Sequence, residues 1–158
     1  MNYKIILPAL VFLLALKSCV MSQKIEYDKT WKDIDQLIEV DKQYNTALSK
    51  IEKLKNQAKE EKNWPEVVKA VIYTLNSLIN VEEDYFTKSA DLLYNEINDA
   101  EEPAKSILNS MAADFYNSYF SNNRWKIYER TNLSGYTPED PETWSATDFH
   151  TKIAELYR

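Results

Sequence analysis

One glycine, Gly135, in 158 residues constrains this chain more than any other feature. An average protein contains ~7% glycine, so a chain this poor in it is expected to consist of helices joined by short polar turns. The spacing of apolar residues agrees. Trp31, Ile34, Leu37 and Ile38 recur at helical intervals and predict a first helix over about Thr30–Val40. Asp28 or Thr30 is placed to cap it. Ala47, Leu48, Ile51, Leu54 and Ala58 form a second stripe, predicting a helix over Tyr44–Lys62 with Lys and Glu on its far side.

Asn63-Trp64-Pro65 then breaks the chain, and Pro65 suits the first turn of a third helix because its φ is already helical and its missing N–H is not needed there. Val67, Val68, Val71, Ile72, Leu75, Leu78 and Ile79 give that helix a wide apolar face and predict that it is the most buried. Asp84 is a candidate cap for a fourth helix, with Phe86, Ala90, Leu93 and Ile97 inward. Glu101-Glu102-Pro103 repeats the break, and Ile107, Leu108, Met111, Ala112, Phe115, Tyr116 and Tyr119 mark a fifth helix. Ser145 or Thr147 caps a last one carrying Phe149, Ile153, Leu156 and Tyr157.

The expected fold is therefore all-α. Two antiparallel helical hairpins, over Tyr44–Asn80 and Tyr85–Phe120, lie about 40 residues apart, a period suited to a tetratricopeptide-like array. An up-down bundle is the competing architecture.

The first 22 residues read as a leader. Lys4 precedes a twelve-residue apolar run, Ile5 to Leu16. A membrane span needs roughly 20 such residues, whereas a signal-peptide core needs fewer. Cleavage after Ser22 would leave residues 23–158 as one helical domain. Cys19, in Leu16-Lys17-Ser18-Cys19, resembles a bacterial lipoprotein box, although Lys17 departs from it. A lipid on Cys19 would be the one membrane attachment. Both processing routes lead to the periplasm or cell envelope. Cys19 is the only cysteine, so no intrachain disulfide assists the fold.

Lys4 and Lys17 fall within the leader, so the remainder carries 17 basic and 25 acidic residues, a net charge of −8. That balance repels phosphates and argues against nucleic-acid binding. The inventory also argues against catalysis. His150 is the single histidine, and Asp148, two positions away, does not share its helix face. No mature cysteine remains as a nucleophile, and one glycine cannot build a phosphate-cradling loop. No Glu-x-x-His pair of the di-iron kind occurs, and no cofactor is expected.

The distinctive segment is Asn122 to Trp144, NNRWKIYERTNLSGYTPEDPETW. Asn122 and Asn123 suit a helix end, after which Arg124, Trp125, Tyr128 and Arg130 set flat aromatics beside guanidiniums. Such groups stack and hydrogen-bond together, the composition of interface hot spots. A proline-stiffened loop, Ser134 to Thr143, follows and Trp144 closes it. Tryptophans either side of a loop pin it to its own core or offer a surface to another domain, and both roles are compatible. The candidate interaction residues are Tyr116, Tyr119, Arg124, Trp125, Tyr128, Arg130 and Trp144.

NNRWKIYERT, the acidic-proline stretch, Thr143-Trp144 and the F-x-x-x-I-x-x-x-Y spacing from Phe149 to Tyr157 resemble the N-terminal helical region of large alpha-2-macroglobulin-like proteins exported by Gram-negative bacteria. YDKTWKDIDQL from Tyr27, VVKAVIYTL from Val67 and EEPAKSILNSMAADFYNSYF from Glu101 extend the similarity over nearly the whole mature chain. The resemblance implies a non-catalytic module ahead of macroglobulin domains, in proteins whose activity is to trap proteases. On that reading the chain is an N-terminal fragment, and its partners are those downstream domains or another protein. The bait and Cys-x-x-Gln thioester elements of such proteins do not occur in it. A free-standing periplasmic adaptor with a concave peptide groove is the alternative.

Overall fold

The computed structural model describes residues 26–131 and 138–158; the leader, Cys19, Asn132 to Ser134 and Gly135 lie outside these. The described residues form six α-helices and no strand. They are α1 (Tyr27–Asp35), α2 (Tyr44–Glu60), α3 (Trp64–Leu78), α4 (Tyr85–Asp99), α5 (Ala104–Tyr128) and α6 (Ala146–Leu156). A π-helical stretch, Gln36–Val40, continues α1, and a 3₁₀ turn, Pro141–Thr143, precedes α6. The all-α expectation holds.

Each helix packs on its neighbours in sequence, and α3 also reaches α5. The apolar interior follows the same order. Trp31 and Ile34 from α1 meet Ala47, Ile51 and Leu54 from α2 and Ala70 from α3. Val71 from α3 meets Leu93 from α4 and Leu108 and Ala112 from α5. Phe86 and Ala90 from α4 then meet Tyr116, Phe120 and Ile127 from α5, together with Trp144 and Phe149. Consecutive hairpins thus share their apolar faces layer by layer, which is how stacked helical repeats bury what no single hairpin can.

The helix ends show where side-chain chemistry departs from the expected pattern. α1 starts at Tyr27, and its cap position, Glu26, makes no side-chain bond, so neither Asp28 nor Thr30 caps it. Asp84 stands at the α4 cap position without capping, because its carboxylate pairs with Lys88 Nζ at 3.3 Å. Pro65 lies in the first turn of α3, as its geometry favours. Ser145 forms a full capping box: its hydroxyl accepts from the Asp148 N–H while the Asp148 carboxylate accepts from the Ser145 N–H at 2.9 Å. Tyr157 falls just beyond α6 and donates instead to Asp114 Oδ1 at 2.8 Å.

Two further expectations change. The buried face of α3 is narrower than its composition implies: Val67, Ala70 and Val71 are buried while Ile72 and Ile79 are exposed. The fifth helix does not end at Asn122–Asn123. It runs on to Tyr128 because Ile127 extends the buried stripe of Tyr116 and Phe120 by two more turns. Asn123 remains inside the helix, its side-chain amide donating to the Tyr119 carbonyl at 3.0 Å.

α2 ends on a left-handed corner without glycine. Lys62 has φ 55°, its N–H bonds the Lys59 carbonyl, and the Asn63 N–H bonds the Ala58 carbonyl at 2.8 Å. That is the Schellman pattern, normally built on glycine. Lys42, between the π-helical stretch and α2, has the same φ.

α2 and α4 meet through charge. Buried Lys55 lies 2.8 Å from Glu52 Oε2 and 3.0 Å from Glu96 Oε1, and Lys59 lies 2.8 Å from Glu96 Oε2 and 3.0 Å from Asp99. Glu96 is itself buried. Its Oε2 has the Lys59 ammonium as an ion-pair partner. Burial works against the Lys59 charge, but Glu96 and Asp99 outweigh it and raise its pKa above the ordinary lysine value.

Candidate functional site

The Asn122–Trp144 segment divides into a clasp and a patch. The clasp is built on Trp144, which is 7% exposed. Its indole N–H donates to the Pro138 carbonyl at 2.7 Å, and its own carbonyl accepts from Arg130 Nη1 at 2.8 Å. Its ring stacks on Tyr116, with centroids 5.3 Å apart and planes 20° apart. The 3₁₀ turn just before it is set by Asp140, whose carboxylate accepts from the Glu142 N–H at 2.9 Å. Trp144 thus ties residues 138–144 onto α5.

Tyr119 belongs to the same interior, stacked on Phe86 at 3.5 Å and on Phe149 at 5.8 Å. Burial raises the pKa of its phenol, with Glu142 adding to the rise and Arg130 opposing it. Four of the seven residues marked out by sequence, Tyr116, Tyr119, Arg130 and Trp144, therefore hold the C-terminal layer together. They are the part of the segment that pins the loop.

The other three form the patch. Arg124, Trp125 and Tyr128 lie in the last two turns of α5 and are exposed. Trp125 is 77% exposed and touches no other aromatic ring among the described residues, while the Arg124 guanidinium lies 5.2 Å from its ring centroid. Tyr128 is 64% exposed and meets the Phe120 ring edge-on at 5.8 Å. Arg124 and Tyr128, four residues apart, share a helix face as their spacing requires. The buried Ile127 on the opposite side fixes the helix that carries them.

A second feature was not marked out by sequence. A cleft of about 360 Å³ opens between α4, α5, α6 and the 3₁₀ turn. Tyr116 and Trp144 line it, with Tyr94 and Ile97 from α4 and Leu156 from α6. Asp91, Glu139, Glu155 and Lys152 supply its charge. Burial, and then the Asp91 carboxylate, push the Tyr116 phenol up to about 12. Only the fold brings these residues together, since they come from four separate stretches of chain.

His150 lies against Phe120, with ring centroids 4.8 Å apart. No cluster of three or more His, Cys, Asp or Glu side chains with metal-binding geometry occurs among the described residues. No described helix is long and apolar enough to cross a membrane. No family model, no curated protein and no solved structure matches the chain.

Proposed function

We propose that this chain is a non-catalytic helical interaction module, and that it serves as the N-terminal helical module of an exported bacterial alpha-2-macroglobulin-like protease inhibitor. The observation that carries the interaction role is Trp125: a tryptophan 77% exposed, in the last turns of α5, beside a guanidinium. Tryptophan and arginine dominate the energetics of protein interfaces, and an indole left this exposed gains most from being covered. Arg124 and Tyr128 complete the contact surface. The assignment to a protease trap rests on the resemblance of the NNRW and TW blocks, and the partner is then a macroglobulin domain of the same protein.

Two experiments test the two parts. Trp125→Ala is expected to leave the melting temperature unchanged while abolishing association with a purified macroglobulin domain of such a protein; undiminished association overturns the assignment of the surface. Residues 23–158 alone are expected not to slow a protease acting on a protein substrate. Stoichiometric inhibition by that segment would show that the trap resides in the helices themselves.

The cleft between α4 and α6 favours a second reading, a free-standing adaptor for a peptide. The reading frame beyond Arg158 separates the two, since macroglobulin β-strand sequence there supports the first and a stop codon the second.

A further inference from the structure

We infer that the cleft between α4, α5 and α6 is a receptor for an arginine side chain presented by a polypeptide segment. This surface is distinct from the Trp125 patch, none of whose residues lines the cleft.

The charge lining the cleft is unbalanced. Asp91, Glu139 and Glu155 face one cation, Lys152, and none of these four side chains has an ion-pair partner among the described residues. Three carboxylates with one amine leave a net negative wall that attracts a cation. They do not converge as a metal site would. A dispersed set of acids suits a delocalised organic cation better than a point charge, and guanidinium is the flat, multi-donor cation of proteins.

The second observation is independent of the acids. Tyr116 is 94% buried, since only 6% of its surface is exposed, and it lines the cleft. Its hydroxyl makes no hydrogen bond with any described residue. The ring is enclosed but its oxygen stays open to the cleft, since Glu96 Oε2 alone is a fully buried side-chain polar atom without a hydrogen-bond partner among the described residues. The Tyr116 oxygen offers lone pairs to a donor entering the cleft, and the Asp91 carboxylate acts on the same phenol. Its ring is already stacked on Trp144, so the pair forms a preorganised aromatic wall. Tyr94, 62% exposed on α4, stands at the opening. Guanidinium planes stack on such rings while their edges reach carboxylates.

The rest of the lining points to a peptide rather than to a free small cation. Asn98 and Asn109 also line the cleft, and each side chain can both donate to and accept from a peptide backbone. Ile97 and Leu156 offer apolar contact to a neighbouring side chain. A volume near 360 Å³ lies at the low end of small-ligand sites, about 300–1,000 Å³, and so accommodates one or two side chains.

The test is a titration of the full chain, labelled with ¹⁵N, by acetyl-Gly-Arg-Leu-Gly-amide and by the same peptide with citrulline, which keeps the shape and removes the charge. The arginine peptide is expected to shift the Trp144 indole N–H resonance, with the citrulline peptide at least about tenfold weaker. Asp91→Asn combined with Glu139→Gln is expected to weaken binding by a similar factor, and Tyr116→Phe to weaken it without loss of fold. Trp125→Ala is expected to leave it unchanged, which separates this site from the interaction patch. Equal binding of the two peptides, an unmoved Trp144 signal, or indifference to the double substitution overturns the inference. Spermidine binding as tightly as the arginine peptide overturns it in favour of a free polyamine site.

Discussion

The two ends of this molecule belong to the same structural class but are held by different forces. Where α2 meets the far end of α4, Lys55 and Lys59 pair with Glu96 and Asp99, beside an interior that includes Ala47, Ile51 and Leu54. In the C-terminal half, Phe86, Tyr116, Phe120, Trp144 and Phe149 pack ring on ring. Ion pairs are directional and fix which helix turn faces which, but desolvation cancels most of their attraction. Aromatic stacking buries large areas and tolerates small adjustments. One region thus sets alignment, and the other supplies most of the cohesion.

The sharpest way to break that contrast is Phe149→Ala. Phe149 is fully buried and lies within ring-contact range of Phe86, Tyr116, Tyr119, Phe120 and Trp144. Its truncation is expected to cost about 3–5 kcal/mol and to lower the melting temperature by on the order of 10 °C or more, measurable by calorimetry. A small effect would mean that the aromatic layer is not the main source of stability.

Glu96→Gln comes next, at about 2 kcal/mol in denaturant unfolding, because Lys55 and Lys59 lose their shared partner but keep Glu52 and Asp99. The compound change Lys55→Met with Glu96→Leu should fall within about 1 kcal/mol of the parent, since it removes charge and desolvation cost together. If the compound variant is as damaged as Glu96→Gln, the ions contribute cohesion as well as alignment.

Alkaline titration addresses both halves. Burial raises the Tyr73 phenol from 10.0 to about 12, reinforced by its hydrogen bond to Asp35, and burial does the same at Tyr27, beside Glu61. Burial raises Tyr116 likewise, beside Asp91. A folded-state pKa above the unfolded one means that the native state holds its proton more tightly. The contribution is complete below pH 10 and is lost as pH rises toward 12. Lys59 acts in the same sense. Denaturant midpoints should therefore fall over that interval, and Tyr73→Phe should flatten the decline; a midpoint constant with pH would contradict the assigned environments.

The smallest of the four effects is expected at Ser145. Ser145→Ala removes half of the capping box of α6 and should cost about 1 kcal/mol, read as a shift in urea midpoint with unchanged slope. A loss as large as that of Phe149→Ala would mean that α6 is held by its first turn rather than by its rings.

Much of the fold was legible in the sequence because helical periodicity is local. The stripes through α2 and α5 appear in spacing alone, and so does a cap at Ser145 or Thr147, of which the structure uses Ser145. The extension of α5 past Asn123 was not, since it depends on Ile127 finding a pocket made by other helices. The composition of the Asn122–Trp144 block is unusual, yet it does not distinguish Trp125 from Trp144. One is exposed and the other buried because of what the 3₁₀ turn and Arg130 do in three dimensions. The cleft was invisible for the same reason: Asp91, Tyr116, Glu139 and Lys152 share no motif and meet only after folding.

The two lysine corners carry a practical consequence. A side chain in the left-handed region costs roughly 1–2 kcal/mol that glycine would not, and both Lys42 and Lys62 sit there at φ 55°. Lys62 also pairs with Glu101, so Lys42 is the cleaner position to relieve. Glycine at residue 42 should toughen the scaffold without touching the aromatic layer, the ions or either surface. It gives experimenters thermal headroom in which the more damaging alanine variants can still be examined in their folded form.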